Sequence, residues 1–252
     1  MESVRKQSTR SSEEFSHLRQ KEAWEKEHSC PSALVQMNSL APSSGIKKFV
    51  KDFHPLFERR GLHGLEMGCG KGRNVIGLAQ EEAFSSVSGF DFSLVAIREA
   101  SRRAHAVGLE AKTHFSVADA LLEWPYRDAS MDLFVDCFAL SDIEQMKGRK
   151  HALQQAVRVL KRGGYGLIYE LSTEDHYHQM MIEKYSANEV GSFINVQGKF
   201  EKVFTLKELM VLCHPLQLIR YERLEKEALF DGKPYLCRHH WLVFQKTVIN
   251  SN

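Results

Sequence analysis

Short apolar stretches alternate with segments whose apolar positions recur every three or four residues, over most of the chain. The first kind of pattern predicts strands and the second predicts helices. The predicted strands are 63–68, 85–93, 111–120, 131–140, 165–171, 216–229 and 238–246, and the predicted helices between them are 73–82, 94–108, 149–164 and 204–213. Strands separated by helices at this spacing predict an α/β fold with a parallel sheet and right-handed crossovers.

Changes in composition divide the chain into five segments. Residues 1–14 are polar and predict a disordered tail, and residues 15–60 have helical spacing and predict a helical lid. Residues 61–171 carry the regular alternation and form the predicted core. Residues 172–204 are polar and aromatic without a clear strand, which indicates an inserted cap. Residues 205–248 supply a closing helix and the last two strands, and Thr205 with Glu208 predicts a capping box at the start of that helix.

Composition and charge exclude several classes of protein. The chain has 252 residues, of which 43% are hydrophobic, and 34 basic residues against 32 acidic ones give a net charge of +2. This charge gives no overall electrostatic argument for a nucleic acid or an anionic membrane. No apolar run is long enough to span a bilayer, and the N-terminus lacks the apolar centre of a signal peptide. Five scattered cysteines without a CxxC pair favour a reduced, cytoplasmic protein.

The stretch LEMGCGKGRN, residues 65–74, follows the first core strand and precedes a helix. It reads Glu66-x-Gly68-x-Gly70-x-Gly72. A glycine-rich turn in this position lets a ligand lie against bare backbone near the start of a helix. The dinucleotide pattern requires a glycine where this chain has Arg73, and the G-K-[ST] ending of a phosphate-binding loop is absent.

LEMGCGKGRNVIGLA resembles the first motif of class I S-adenosylmethionine-dependent methyltransferases, of the methyltransferase domain 11 and 25 type. The resemblance continues in order from about residue 62 to 171, with a weaker match to about residue 246. The run GxGRNxxxLA, residues 70–79, is most similar to a small-molecule branch that includes tellurite and thiol methyltransferases. The resemblance implies a Rossmann-like, parallel seven-stranded sheet with an antiparallel last strand and helices on both faces. It also implies S-adenosylmethionine as the cofactor.

Individual cofactor contacts follow from the positions that match the family's motifs. Asp91, at the end of the second strand, is expected to hold the ribose hydroxyls, because a carboxylate accepts from two neighbouring hydroxyls. Asp119 is expected near the adenine amino group, and Glu66 near the methionine ammonium; each of the three also has a purely structural interpretation. The predicted cofactor-binding residues are Glu66, Gly68, Cys69, Gly70, Gly72, Asn74, Asp91, Phe92, Asp119, Ala120, Asp136 and Cys137.

The acceptor pocket is expected above the strand ends, under residues 15–50 and 172–204. Aromatic and histidine side chains in these two segments are its candidate contacts, namely Trp24, His176, Tyr177, His178, Tyr185 and Phe193. No catalytic residue is assigned. The His176/His178 and His239/His240 pairs lack companion ligands, so no metal site is predicted.

The sequence supports three functional hypotheses. The first is a methyltransferase that acts on a small-molecule acceptor. The second is an RNA (tRNA) methyltransferase, which the near-neutral charge disfavours; Arg98, Arg102 and Arg103 on one helix are interpreted as a solvated face rather than an RNA-binding one. The third is a non-catalytic scaffold that binds the cofactor. No membrane association is predicted, and the oligomeric state is left open.

Overall fold

The computed structural model describes residues 12–30, 39–230 and 232–247. The helices are α1 (Ser12–Ser29), α2 (Ser44–Asp52), α3 (His54–Phe57), α4 (Arg73–Ala79), α5 (Leu94–Ala106), α6 (Met146–Val159), α7 (His176–Tyr185) and α8 (Leu206–Leu212), with a 3-10 turn at Leu140–Asp142. The strands are β1 (Leu62–Met67), β2 (Phe84–Asp91), β3 (Thr113–Val117), β4 (Met131–Cys137), β5 (Leu160–Leu171), β6 (Ser192–Ile194), β7 (Phe200–Lys202), β8 (Gln217–Phe230) and β9 (Lys233–Gln245).

Seven strands form one sheet in the order β3-β2-β1-β4-β5-β9-β8. All of them run in the same direction except β9, which is antiparallel to both of its neighbours. The predicted fold class, with its antiparallel last strand, is therefore confirmed. Strand order reverses between β1 and β4, and ligands of open α/β sheets bind outside the carboxyl ends of the strands at such a point. The short β6–β7 hairpin stands apart from this sheet.

Apolar clusters cover both faces of the sheet. In β4, Leu133 belongs to the cluster formed with α2 and α4, whereas its neighbour Phe134 belongs to the cluster formed with α6 and α8. Successive side chains of a strand point to opposite faces, so the continuous apolar sequence of β4 is buried on both faces of the sheet. The indole Nε1 of Trp241 in β9 donates to the Gly45 carbonyl at 2.9 Å, which fixes α2 against the first of these faces.

Several boundaries differ from the sequence-based prediction, among them the start of the first helix and the end of the helix before β5. Helix α1 begins at Ser12, so residues 12–14 of the predicted tail are helical; residues 1–11 lie outside the described residues. The helix predicted over 149–164 ends at Val159, because Leu160 already pairs with Met131 of β4. The division of the chain into segments otherwise stays a prediction.

The cap segment contains more regular structure than its composition indicates. Residues 172–204 form α7 and the β6–β7 hairpin. Asp175 caps α7 by accepting a hydrogen bond from the His178 backbone N–H. The hairpin strands have three residues each, too few to give a readable alternation. The capping box at Thr205 and Glu208, in contrast, is confirmed.

Candidate active site

A cavity of about 1130 Å³ opens at the carboxyl edge of the sheet, beneath α1. The loop between β1 and α4 and the ends of β2 and β4 line one end of it, and α7, β7 and β9 line the other. Ligand pockets in proteins span roughly 300–1,000 Å³. This cavity is therefore large enough for a nucleoside-sized ligand together with a second small molecule.

Most of the predicted cofactor residues line this cavity. They are Glu66, Gly68, Cys69, Gly70, Asn74, Asp91, Phe92, Asp119, Ala120 and Cys137. These residues lie together, as expected for one binding site. That they bind a cofactor stays a prediction.

Gly70 is the position in the loop where a side chain would enter the cavity. Its φ is +51°, a left-handed conformation that favours glycine. Among the described residues, a Cβ built there would have one atom within 4 Å, the Cε1 atom of His28 at 3.6 Å on the opposite wall. The Gly70 backbone N–H donates to Oδ2 of Asp91 at 2.9 Å, so the loop is tied to the end of β2. At Gly68, a Cβ would lie 2.5 Å from that of Ala139, so this glycine allows two loops to approach each other.

Gly72 and Asp136 do not line the cavity, contrary to the prediction. A Cβ at Gly72 would lie 2.9 Å from atoms of Ala100 and Phe115, so this glycine permits close packing of α5 and β3. Asp136 is fully buried, and its Oδ1 accepts from the Leu140 backbone N–H at 3.1 Å. Its carboxylate therefore supports the turn after β4 from below.

Asp91 keeps hydrogen-bonding capacity for a ligand although both of its oxygens are engaged. Oδ2 accepts from Gly70 and Oδ1 from the Ser93 backbone N–H, each at 2.9 Å. A carboxylate has about four acceptor sites, so capacity for a ligand hydroxyl remains beside the backbone hydrogen bonds. Burial raises the pKa of Asp91 to about 6, and backbone hydrogen bonds from Ser93, Gly70 and Phe92 limit the rise.

Glu66 has an oxygen that no described residue satisfies. Its Oε1 accepts from Nδ2 of Asn74 at 2.7 Å, whereas Oε2 is buried without a hydrogen-bond partner among the described residues. Burial raises the pKa of Glu66 to about 8. A buried polar group without a partner is unfavourable, and a ligand ammonium would satisfy it. Glu66 thus fits the predicted contact with the methionine ammonium.

Helix α1 forms the roof and contacts the predicted adenine end. Nε2 of His17 lies 2.6 Å from Oδ2 of Asp119, and Nζ of Lys21 lies 3.7 Å from the same oxygen. Burial opposes ionisation of Asp119, but the hydrogen bond from His17 holds its pKa below the usual value. The carboxylate is therefore charged and positioned from above.

Polar contacts fasten the rest of α1 to the cap and to the strand ends. The Gln20 amide donates to the Phe200 carbonyl at 3.0 Å and accepts from the Phe200 N–H at 2.8 Å. Nζ of Lys199 lies 2.8 Å from Glu27 at the far end of the helix. Polar rather than apolar side chains attach this helix, so its role as a roof does not appear in the hydrophobic pattern.

Replacing His17 by alanine is expected to weaken binding of S-adenosylhomocysteine by about fivefold, or about 1 kcal/mol, because Asp119 loses a partly exposed hydrogen bond. Hydrogen exchange in α1 should become faster, since the roof loses an attachment. His105→Ala, at an exposed histidine of α5, is the matched control for calorimetry and exchange. Tighter binding by His17→Ala would contradict this role, because it would mean that His17 competes with the ligand.

The acceptor end of the cavity contains part of the predicted aromatic and histidine set. Trp24, Tyr177 and His178 line it, whereas His176, Tyr185 and Phe193 do not. Several lining residues were not predicted from the sequence, among them Phe138, Lys199, Phe230 and His239. His239 was considered only as half of a metal-binding pair, and only the strand pairing shows that it lies beside the end of β5.

His178 is held between two carboxylates. Its Nδ1 lies 2.6 Å from Asp175 and its Nε2 lies 3.3 Å from Glu201. Burial alone would lower the pKa of His178, but the hydrogen bonds to Asp175 and Glu201 outweigh it and raise the pKa to about 9. His178 is therefore protonated at neutral pH and links α7 to β7.

The described residues contain neither a metal-binding cluster nor a membrane-spanning helix. No group of three or more histidine, cysteine or acidic side chains there is arranged to hold a metal ion. In the same part of the chain, every helix is too short or too polar to cross a membrane.

The family comparison identifies a domain within the core. Residues 65–164 match the family described as a methyltransferase domain. Among curated proteins, the chain is similar to 27-O-demethylrifamycin SV methyltransferase of Amycolatopsis mediterranei, with 36% identity over 106 residues. That alignment covers 42% of this chain and 37% of the relative. The chain spans less than half the length of the curated relatives it matches.

Solved structures resemble a larger part of the chain. An S-adenosylmethionine-dependent methyltransferase of Methanosarcina mazei has a TM-score of 0.66 and 25% identity, over 78% of this chain and 98% of that one. The N-methyltransferase NodS of Bradyrhizobium japonicum, solved with S-adenosylhomocysteine, has a TM-score of 0.62 and 15% identity, over 90% and 98%. The second likeness concerns the fold alone. The glycine loop, Asp91 and Asp119 all lie within the residues that match the family.

Proposed function

We propose that the protein transfers the methyl group of S-adenosylmethionine to a small-molecule acceptor, because residues 65–164 match a methyltransferase domain and the chain resembles an S-adenosylmethionine-dependent methyltransferase of known structure. The observation that carries the proposal is the continuous cavity. It joins the glycine loop and Asp91 at one end to Tyr177 and His239 at the other. Donor and acceptor can therefore meet above the ends of β4 and β5.

The donor-side residues fit S-adenosylmethionine on structural grounds. Asp91 has acceptor sites for the ribose, Glu66 has a buried oxygen for the ammonium, and Gly70 leaves the backbone bare. S-adenosylmethionine supplies a methyl group on positively charged sulfur, which is already activated for transfer. The protein's task is then to align the acceptor and to exclude water, and α1 closes the cavity for that purpose.

The enclosed acceptor end favours a small molecule over RNA. RNA-binding surfaces are usually open and basic. Here the guanidinium groups of Arg102 and Arg103 are both bonded to Glu99, and Arg103 is buried, so these arginines do not form a basic face. A cytoplasmic location stays a prediction from the sequence.

Replacing Asp91 by alanine is expected to weaken S-adenosylhomocysteine binding by about 1.5–3 kcal/mol, because hydrogen bonds to a charged acceptor are lost. Calorimetric titration measures the change, and thermal unfolding verifies that the variant is folded. Asp128→Ala, at an exposed aspartate paired with Arg158, is the control. Equal affinity of the Asp91 variant and the wild type would remove Asp91 from the site.

The proposed activity is tested by incubating the protein with S-adenosylmethionine and a panel of small alcohols, phenols, amines and thiols, and with tRNA. S-adenosylhomocysteine formed in the presence of a small acceptor is the expected result. Formation with tRNA alone would favour the RNA methyltransferase hypothesis. Tight binding of S-adenosylhomocysteine without turnover of any acceptor would favour the scaffold.

A further inference from the structure

Three of the histidines that line the cavity, His28, His178 and His239, differ in the groups that hold their imidazole rings. In His178 both nitrogens face carboxylates and the ring is protonated, so no lone pair is left. His28 packs against Trp24, and its buried Nδ1 has no hydrogen-bond partner among the described residues, so no hydrogen bond orients this nitrogen. His239 combines a ring oriented through Nδ1 with an Nε2 that has no hydrogen bond to any residue the structure describes.

A chain of hydroxyl groups orients His239. Its Nδ1 lies 2.9 Å from the Tyr169 hydroxyl, which lies 2.9 Å from Oγ of Ser44. Tyr169 and His239 are both buried, on the adjacent strands β5 and β9. The other nitrogen, Nε2, is 3.9 Å from Oδ2 of Asp175, beyond hydrogen-bond distance. A base whose second nitrogen is held by an orienting group is the arrangement found in general-base catalysis.

Phe138 places this histidine next to the end of β4. Its φ is +66°, a conformation that residues other than glycine rarely adopt. The Phe138 ring contacts both Tyr169, at a centroid distance of 4.7 Å, and His239, edge to face at 5.0 Å. Strained backbone of this kind is frequent at functional sites. It turns the phenylalanine ring toward β5 and β9, where it supports the imidazole.

We propose that His239 is a catalytic residue whose Nε2 takes the proton of a hydroxyl-bearing acceptor, with Tyr169 as its positioning residue. This inference rests on the proposed methyltransferase function. In this assignment Nδ1–H of His239 donates to the Tyr169 hydroxyl and that hydroxyl donates to Ser44, which leaves the imidazole lone pair on Nε2. The acceptor oxygen bonds to the methyl carbon, the carbon–sulfur bond breaks with its electron pair on sulfur, and the hydroxyl proton passes to Nε2. Asp175 then faces the imidazolium.

The surroundings of His239 favour a neutral hydroxyl over a thiolate. Aromatic rings enclose this end of the cavity, and Tyr177 and Phe230 are stacked at a centroid distance of 3.8 Å. A thiolate is nucleophilic without a base, so it would not use the oriented histidine.

Titratable groups come from each element packed against His239. Burial is the largest influence on the pKa of His239, and Lys226 on β8, His178 on α7 and His240 on β9 act in the same direction. Asp175, the N-cap of α7, acts in the opposite direction, and the net pKa is about 3. His239 is therefore neutral before the reaction, and among these groups Asp175 is the one that favours the imidazolium formed when the proton arrives.

The acceptor atom is tested with benzyl alcohol, benzylamine and benzyl mercaptan, which share one scaffold and differ in the nucleophilic atom. S-adenosylhomocysteine is measured for the wild-type protein, His239→Gln, Tyr169→Phe and His240→Gln. Turnover of benzyl alcohol is expected, with a fall of more than about a hundredfold in His239→Gln. Tyr169→Phe should lower kcat more than KM. His240 bonds to the Phe204 carbonyl on the other face of the strand, so its variant should keep the wild-type rate.

A binding experiment makes the test independent of turnover. Phenol is titrated into the complex of the protein with S-adenosylhomocysteine while the ¹⁵N resonances of the histidine rings are followed. A saturable change at His239, absent in His239→Gln, is expected. Turnover of the amine or thiol without the alcohol would overturn the inference, and so would an unresponsive His239 resonance together with unreactive benzyl alcohol. If the inference about His239 fails, the wild type and His239→Gln should still bind S-adenosylhomocysteine with equal affinity. If the proposed function fails, the wild type itself would not bind S-adenosylhomocysteine.

Discussion

Replacing Gly70 by valine is expected to weaken S-adenosylhomocysteine binding by more than about a hundredfold, or about 2.7 kcal/mol. Two effects add. The valine side chain points into the cavity toward His28, where the ligand must lie against the backbone. In addition, φ is +51° at this position, and a β-branched residue there costs roughly 1–2 kcal/mol. Calorimetric titration of the folded variant measures the loss.

The control for this variant is Gly61→Val. Gly61 also has a positive φ, of +77°, and a Cβ there would have no neighbour within 4 Å. Both variants therefore carry a comparable backbone cost, but only the first one obstructs the cavity. Equal binding by both variants would mean that the glycine loop does not hold the ligand.

Replacing His178 by glutamine is expected to destabilise the protein by about 3 kcal/mol near pH 6, because the pKa of this histidine is raised from 6.5 to about 9 by Asp175 and Glu201. A buried ion pair that loses one partner leaves an uncompensated charge. Urea unfolding of both proteins measures the difference.

The pH dependence has a definite sign. The folded state binds the His178 proton more tightly than the unfolded state, so the stabilisation is fully present below pH 6.5. It is lost as the pH rises through about 9, and the free energies of unfolding of the wild type and of His178→Gln should converge there. His54→Gln, at an exposed histidine, should leave the profile unchanged. Parallel pH profiles for wild type and His178→Gln would contradict the assigned ion-pair triad.

The core could be predicted because its information is local. β4 is apolar on both faces and is followed by a helix whose apolar residues recur with helical spacing. Its place in a parallel sheet can therefore be predicted from the sequence alone. Asp91 could be located for the same reason, since parallel strands bring their carboxyl ends to one edge. Asp136 was predicted on the same grounds, as a carboxylate at the end of a strand. It does not line the cavity, and its Oδ1 accepts from the Leu140 backbone N–H, so its part in binding stays a prediction.

The roof and the acceptor end could not be predicted, because they depend on contacts between distant parts of the chain. His17 meets Asp119 and Gln20 meets Phe200, each across more than a hundred residues. Polar side chains make these contacts, so helix α1 has no apolar stripe from which its packing over the cavity could be predicted. His239 meets Tyr169 only because β9 inserts antiparallel beside β5.

The proposed cofactor site is tested by calorimetric titration of the purified chain with S-adenosylmethionine and S-adenosylhomocysteine, with NAD as the control ligand. We expect saturable binding of the first two at one site per chain, weakened by Gly70→Val and unaffected by Gly61→Val, and no binding of NAD. Absence of binding by both sulfur ligands, or binding that Gly70→Val leaves intact, would rule this site out.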